Sequence, residues 1–521
     1  MKKLLRLLVL LLTQPVWAQA PLDLSQSGLQ FDDEAYLKIE QKPDNVLYKA
    51  PLPKALSYEK YLPSIERQGD YGTCVAFSCA YYTRTVIEAI QRGLTKKSEI
   101  DQTRFSPTYL YAHLKSPSDV TCQRGGTLDE GLTVLKKYGV PFWSNLAYPQ
   151  CLKDVKSYDE QASRFRIRHF ERIFTFAATF QKAQQNRKEL ESVIRDNVQN
   201  VKLALAGGYP VPIGMMIPLS FQAVSTDTWT PGPSDTDDLF EEVKSGFKRH
   251  KLFGHALTVV GYDDKRQAFR VVNSWGTRWA DKGLCWINYH DFGLFTRYAF
   301  RVYPMELPPV KTIHLPNLAG TLSKPKPAGF SEQPTTRQAS VTMQLVDGTL
   351  MAARRLNSSL TTDGGMNKAI DEYRLVNAYP SGTRFKLTVN NSKAAYIYVI
   401  GTDQTQKMTR LFPYTDKFSA MIAPNESAVL PGPTKHIRLD NNPGQEYYLI
   451  LVSEKPLHLG QLISKMSQIS GSLSQRLTQT LGDQLMNSRE MNYSPEQIKV
   501  DTPIDSTGKI IPLLISLTHK P

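Results

Sequence analysis

The chain has 521 residues, 41% of them hydrophobic and 21% charged, with a formal net charge of +14. That length and apolar content exclude a disordered polyelectrolyte and leave room for two or three domains, each with its own core. The basic excess is scattered: its densest groups, Lys96-Lys97, Arg164-Phe165-Arg166-Ile167-Arg168 and Lys248-Arg249-His250-Lys251, are short and carry no nucleic-acid signature, so a solvated basic surface is expected and no nucleic-acid partner.

In chain order, Met1-Lys2-Lys3 and the apolar run Leu4–Leu12 form the n- and h-regions of a signal peptide over residues 1–20. Cleavage is expected after Val16-Trp17-Ala18 or Ala18-Gln19-Ala20. The run is too short to span a bilayer and no later stretch is long enough, so the protein is expected to be secreted or periplasmic, without a membrane span. Residues 21–55, polar and spotted with Pro43, Pro51 and Pro53, read as an extended leader, a strap or short propeptide.

Gln68-Gly69-Asp70-Tyr71-Gly72-Thr73-Cys74 is a Gly-containing turn running into the apolar series Val75, Ala76, Phe77, Ala80, Tyr81, Val86 and Ile87. That pattern puts Cys74 at a helix N-terminus, where free N–H groups and the helix dipole are expected to lower the thiol pKa. Gln68 and the Cys74 N–H supply two donors for an oxyanion. Thr127–Gly139 has a capping-box start and a glycine stop, so it reads as a helix. Residues 155–205 read as further basic, helical material. Strand signals follow at 210–217, 256–262, 268–273 and 284–289, with 222–250 read as a surface loop. His255 opens the β-branched run Ala256–Tyr262, and Asn273 ends a strand just before Trp275. Cys, then His, then Asn is the order of a thiolate–imidazolium nucleophile whose base is oriented by an amide, with Trp275 placed to keep water from that bond. Neither a metal nor an organic cofactor is called for.

These residues resemble the papain-like (C1) cysteine peptidases, in a divergent bacterial branch. The ordered pieces are Gln68-Gly69, Gly72-Thr73-Cys74, Ala76-Phe77-Ser78, Gly125-Gly126, Tyr148-Pro149, Pro210-Val211, His255-Ala256 and Asn273-Ser274-Trp275-Gly276, then Trp279 and Gly283. The resemblance implies an α+β fold over residues 56–305, with a helical lobe, a β-barrel-like lobe and the site in the cleft between them. It implies Cys74 as nucleophile, His255 as base and acid, Asn273 as orienter and Gln68 as oxyanion donor. Gly125, Gly126 and Trp275 are assigned to substrate binding, and Cys122–Cys151 to a disulfide. Cys79 and Cys285 are left either bridged or as two buried free thiols. Three features depart from the pattern: Tyr71 removes one usual half-cystine, Val75 replaces a tryptophan, and the Cys74-to-His255 separation exceeds the roughly 130–150 residues of the papain arrangement. The long helical prosegment of papain-type zymogens is absent.

Residues 306–340 read as a Pro-rich linker. Alternating runs at 340–346, 384–389, 395–400 and 446–452 predict an antiparallel β-sandwich over 341–521, with a helical segment near 458–487. The stretch from Leu411 to Ser453 resembles an uncharacterised β-rich module of bacterial envelope proteins. A binding or docking role toward an envelope component or partner protein is expected of the C-terminal domain as a whole. His436, His458 and His519 are isolated and read as surface or packing residues. The leading expectation for the whole is an exported cysteine endopeptidase acting on peptides or proteins. The alternatives are an acyl-transferring ligase or amidase with the same triad, and a non-catalytic envelope binding protein on a peptidase scaffold.

Overall fold

The computed structural model describes residues 28–176, 187–246, 248–306, 336–356, 370–503 and 509–521. The expected signal peptide and most of the expected Pro-rich linker lie outside the described residues. Among the described residues no helix is long and apolar enough to cross a membrane.

The leader is not simply extended. It holds a short helix, Asp33–Lys38, capped by the Asp32 side chain on the Ala35 N–H, and a strand, β1 (Val46–Tyr48), and its last residue opens β2 (Ala55–Ser57). A helical lobe follows. Its central helix starts at Cys74–Ala76, passes through a π-helical stretch, Phe77–Arg84, and continues as Thr85–Arg92 to a left-handed Gly93. Every residue from Cys74 to Ala89 on this rod is buried, since it runs between the helices Pro107–Leu114 and Leu128–Lys137 on one side and a sheet on the other. Helix Leu128–Lys137 carries the expected capping box between Thr127 and Glu130. Thr127→Ala should cost about 1 kcal/mol in chemical denaturation, the usual value of an N-cap.

The second lobe is an eight-stranded sheet built from β2, β3 (Ile167–Arg172), β4 (Val211–Ile217), β5 (Thr228–Trp229), β6 (Phe253–Asp263), β7 (Ala268–Val272), β8 (Leu284–Asn288) and β9 (Thr296–Pro304). The order is β3-β9-β4-β6-β7-β8-β5, with β2 beside β6. Two expectations are corrected here. The stretch around Arg166–Arg168 leads into β3 rather than a helix, and among the described residues of the 155–205 region only Arg187–Ala206 is a long helix. The expected loop at 222–250 contains the helix Pro233–Ser245, with Pro233 in the first turn, Asp235 accepting from the Gly232 N–H, and Leu239 and Val243 turned into the core.

The C-terminal half is a sandwich. Its strands are β10 (Thr336–Leu345), β11 (Ala353–Leu356), β12 (Glu372–Leu375), β13 (Tyr379–Pro380), β14 (Arg384–Asn391), β15 (Ala395–Thr402), β16 (Thr409–Phe412) and β17 (Met421–Ile422), followed by β18 (Glu426–Leu430), β19 (Ile437–Arg438), β20 (Gly444–Ser453), β21 (Asn492–Tyr493), β22 (Lys499–Pro503) and β23 (Ile511–Lys520). One sheet runs β1-β18-β14-β10-β22-β21 with β19 on β14. The other runs β11-β12-β23-β20-β15-β16 with β13 and β17 at its side. It is not purely antiparallel, because β12 and β13 lie parallel to β23. β14 buries alternate residues, Phe385, Leu387 and Val389, as a strand with one covered face must. β15 is buried on both faces: Ile397 and Val399 face the sandwich core, while Tyr396, Tyr398 and Ile400 pack under the helices Leu459–Ser467 and Leu473–Leu481.

Candidate active site

The two lobes meet where the Cys74 helix crosses β6. The Ser78 hydroxyl, one turn beyond Cys74, donates to the Leu257 carbonyl at 2.7 Å and lies 3.0 Å from the Thr258 hydroxyl. Thr258 returns a bond to the Ser78 carbonyl at 3.1 Å. Buried polar groups are retained only when satisfied, so this exchange fixes the register between the helix carrying Cys74 and the strand carrying His255. Thr258 was not singled out from sequence. A hydroxyl in an otherwise apolar buried strand was its only signal.

The Cys74 thiol is fully buried and is approached by the backbone N–H groups of Ala256, Val75 and Cys74 itself. The Ala256 contact seats the sulfur against the residue next to His255. The lowered thiol pKa expected from the helix N-terminus is not what this arrangement produces: burial outweighs the three backbone donors and pushes the thiol up to about 12. His255, equally buried, has Nε2 2.7 Å from Asn273 Oδ1. That oxygen also accepts the Ser274 N–H at 2.7 Å. An amide oxygen only accepts, so Nε2 carries the hydrogen and Nδ1 is the basic nitrogen. Trp275 lies over the imidazole, ring centroids 4.5 Å apart, and is itself wedged against Phe221 and Trp279. Its place is as a cover on the His255 ring.

Gln68 is also buried, held from both ends. Its Nε2 donates to the Tyr71 carbonyl at 2.8 Å and its Oε1 accepts the Ser274 hydroxyl at 2.6 Å. Its backbone N–H reaches the Ser274 carbonyl at 2.8 Å, so Gln68 and the Asn273-Ser274 turn are fixed relative to each other. The primary amide has a second N–H beyond the one given to Tyr71. Tyr148 donates to the Gln68 carbonyl and lies 2.9 Å from the Thr73 hydroxyl, which ties this loop down further.

Gly125 and Gly126 line the helical side of the cleft. Gly125, at φ +76°, donates its N–H to the Tyr111 hydroxyl, which in turn donates to buried Asp119. Against the opposing effect of burial, the Tyr111 hydroxyl and the Gln123 and Arg124 N–H groups hold the Asp119 carboxyl below the usual carboxylate range. Tyr111 and Asp119 are supports that sequence reasoning missed. A disulfide joins Cys122 to Cys151 beside this loop, while Cys79 and Cys285 are free and buried. His519 is not isolated. Its ring nitrogens face the Ser381 hydroxyl at 2.9 Å and Glu446 at 3.3 Å, with Asp440 close by, and these partners hold it within the sandwich.

The cleft is occupied by the leader. The Gln30 N–H donates to the Gly126 carbonyl and the Gly126 N–H to the Gly28 carbonyl, both at 2.9 Å, in a parallel bridge. The fit is close. A Cβ added to Gly28 would lie 2.2 Å from the Gly72 oxygen, one on Gly125 1.9 Å from the Gly28 oxygen, and one on Gly254 2.3 Å from the Leu29 oxygen. Leu29 is buried in the same apolar cluster as Cys74, Leu128 and Ala256. Beyond it, Asp33 takes a two-pronged contact from Arg297 and the Tyr298 hydroxyl, and Tyr36 stacks on Tyr298. The strap thus passes over Gly72 and Gly254, immediate neighbours of the Cys74 and His255 segments. With the thiol protonated well above neutrality, alkylation of Cys74 in the intact protein should be slow at pH 7 and rise about tenfold per pH unit through pH ~10. Mass-spectrometric mapping of the labelled cysteine checks this. A pH-independent fast rate would contradict it.

Residues 53–293 match the model of the papain family cysteine proteases, and residues 378–456 that of a domain of unknown function, DUF4384. An uncharacterized peptidase C1-like protein of Acanthamoeba polyphaga mimivirus is 24% identical over 238 residues, 44% of this chain; the match spans 66% of that protein's length. Among solved structures, xylellain, a cysteine protease from Xylella fastidiosa, is 19% identical with a TM-score of 0.39, covering 54% of this chain and 96% of its own. The digestive procathepsin L 3 of Tenebrio molitor larval midgut is 18% identical with a TM-score of 0.36, covering 52% and 77%. Residues 53–293 are therefore a papain-family cysteine protease domain, joined to a β-rich C-terminal half that contains the DUF4384 segment.

Proposed function

We propose that the protein is an exported cysteine endopeptidase, folded with its own leader across the cleft. When the cleft is open, the Cys74 sulfur gives its proton to His255 and attacks a peptide carbonyl. Gln68 and the Cys74 N–H receive the oxyanion, and the imidazolium protonates the departing amine before activating water for deacylation. Asn273 holds the ring in the tautomer this sequence of transfers needs. The observation that carries the reading is the 2.7 Å His255–Asn273 bond, buried under Trp275 beside a cysteine at the start of a helix. The pairing of thiol and imidazole, and the removal of the strap that excludes water, offset the burial that keeps the sulfur protonated in the covered state.

The test is turnover of a fluorogenic peptide library by protein whose strap has been excised, with an added primary amine in a parallel reaction. Carboxylic acid products are expected in both. Products joined chiefly to the amine would transfer the assignment to a ligase, and intact substrates would return it to a binding protein. Export is tested by N-terminal sequencing of the mature protein, expected to begin after Ala18 or Ala20.

A further inference from the structure

Beyond Tyr36 the leader leaves the cleft and enters the seam between the two halves of the molecule. Gln41 bridges Arg172 of β3 on one side and Phe418 of the sandwich on the other. Its N–H donates to the Lys417 carbonyl at 2.8 Å, and its carbonyl accepts the Ser419 N–H at 2.9 Å. The chain then becomes β1, the end strand of a sandwich sheet, with Leu47 opposite Ser427 on β18 and Val46 buried in the sandwich core. Lys42 places its ammonium 2.6 Å from Glu426 of β18, a fully buried carboxylate that Arg301 of the peptidase sheet also contacts at 2.5 Å. One acidic side chain of the C-terminal half thus holds a cation from the leader and a cation from the catalytic half.

We propose that the C-terminal sandwich is the anchor of the strap: the edge of β18 is a strand-binding surface whose occupant is the leader, and the cleft opens when that strand is detached. This rests on the peptidase reading only for its consequence, since the anchoring concerns access to Cys74. Tethering links the sandwich to the cleft. The strap on the peptidase lobe is one short unit: the backbone bridge of Gly28–Gln30 with Gly126, Asp33 on Arg297 and Tyr298, and Tyr36 on Tyr298. Its persistence depends on the high local concentration that a short, fixed connection to β1 provides. With β1 free, a strap that has let go of both the cleft and β9 is next tethered at β2, and the residues between become a longer loop with a lower effective concentration for rebinding and no preset direction. Strand addition at a sheet edge is a mode in which one extended segment can replace another, so an extended peptide is the partner chemistry this edge fits.

The experiment uses the full chain and changes only the leader. Leu47→Pro removes a ladder donor from β1, since proline has no N–H to give. Lys42→Met removes the cation from Glu426 while Arg301 remains, and serves if the proline variant proves unfolded. Leu29→Asp, in the cleft, is the reference for an uncovered site. The readout is the rate of Cys74 alkylation by iodoacetamide at pH 7, with peptide hydrolysis measured alongside and cooperative thermal unfolding confirming the sandwich. Both anchor variants should label about tenfold faster than the parent, approaching Leu29→Asp, and a synthetic peptide of residues 40–50 added to the parent protein should accelerate labelling as the dose rises. Parental rates in folded anchor variants, with Leu29→Asp fast, would overturn the anchor. Parental rates in all three would overturn the covering strap as well. Fast labelling without hydrolysis would leave the anchor standing and remove the peptidase reading.

Discussion

Cys74→Ala is expected to lower peptide hydrolysis by the uncovered enzyme by at least about 10⁴-fold, the scale seen when a covalent nucleophile is removed from a triad. The loss is this large because no neighbouring group can substitute. Cys79, a turn along the same helix, is buried and its thiol is pushed up further still by burial and by Cys74, and the Ser78 hydroxyl is committed to Leu257. Stability should hardly change. Alanine has the best helix propensity, and one buried sulfur is the only group lost. His255→Ala should reach a similar floor, and the double variant should fall no further, because the two act as a unit. The measurement is turnover of a fluorogenic peptide, with circular dichroism establishing the fold. Hydrolysis persisting in Cys74→Ala would place the chemistry elsewhere.

The three residues proposed as the triad stood out in the sequence because each sits at an element boundary with its own local signal. Cys74 follows a glycine turn and opens an apolar helix, His255 opens a β-branched strand, and Asn273 closes one before a tryptophan. What sequence could not provide was the state of the thiol. The helix N-terminus argument holds for a solvent-facing sulfur, and here desolvation reverses its sign. The helix Pro233–Ser245 was missed for a different reason. Its cap residues, Pro233 and Asp235, and its stop, Gly246, are the same residues that make a composition read as loop, and the Leu239–Val243 spacing that marks a buried face was outvoted. β3 was hidden because it buries His169 and Glu171, polar side chains whose partners come from other segments: Ser419 for the histidine and Tyr303 for the glutamate. The leader's route was invisible for the same reason on a larger scale. The leader was read as an extended strap or short propeptide, but Gly126 and Glu426 are distant in sequence and no periodicity in residues 28–48 points to either.

Glu426→Ala is expected to destabilise the protein by about 3–5 kcal/mol, the range for breaking a buried ion pair from one side. The carboxylate is inaccessible to solvent, its Oε1 shared by Lys42 and Arg301 and its Oε2 accepting the Ala423 N–H at 3.1 Å. Burial alone would raise its pKa, yet the two cations and their hydrogen bonds hold it at about 2. Since the folded value lies below the unfolded 4.5, this contribution is present in full above pH ~4.5 and is lost as pH falls toward 2. Alanine would leave the Arg301 and Lys42 side chains, both nearly inaccessible, without that partner. Glu171 is the carboxylate placed to relieve Arg301, and burial has pushed its pKa up, so ionising it fully would recover only part of the loss. Pairing the change with a second one decides whether charge is the cause: Glu426→Leu with Arg301→Met should lose less than Glu426→Ala alone, because the double variant leaves one cation fewer without a counter-charge. Urea denaturation at pH 7 measures both, and a loss below about 1 kcal/mol for Glu426→Ala would mean that the seam admits water and the three-way contact is a surface pair.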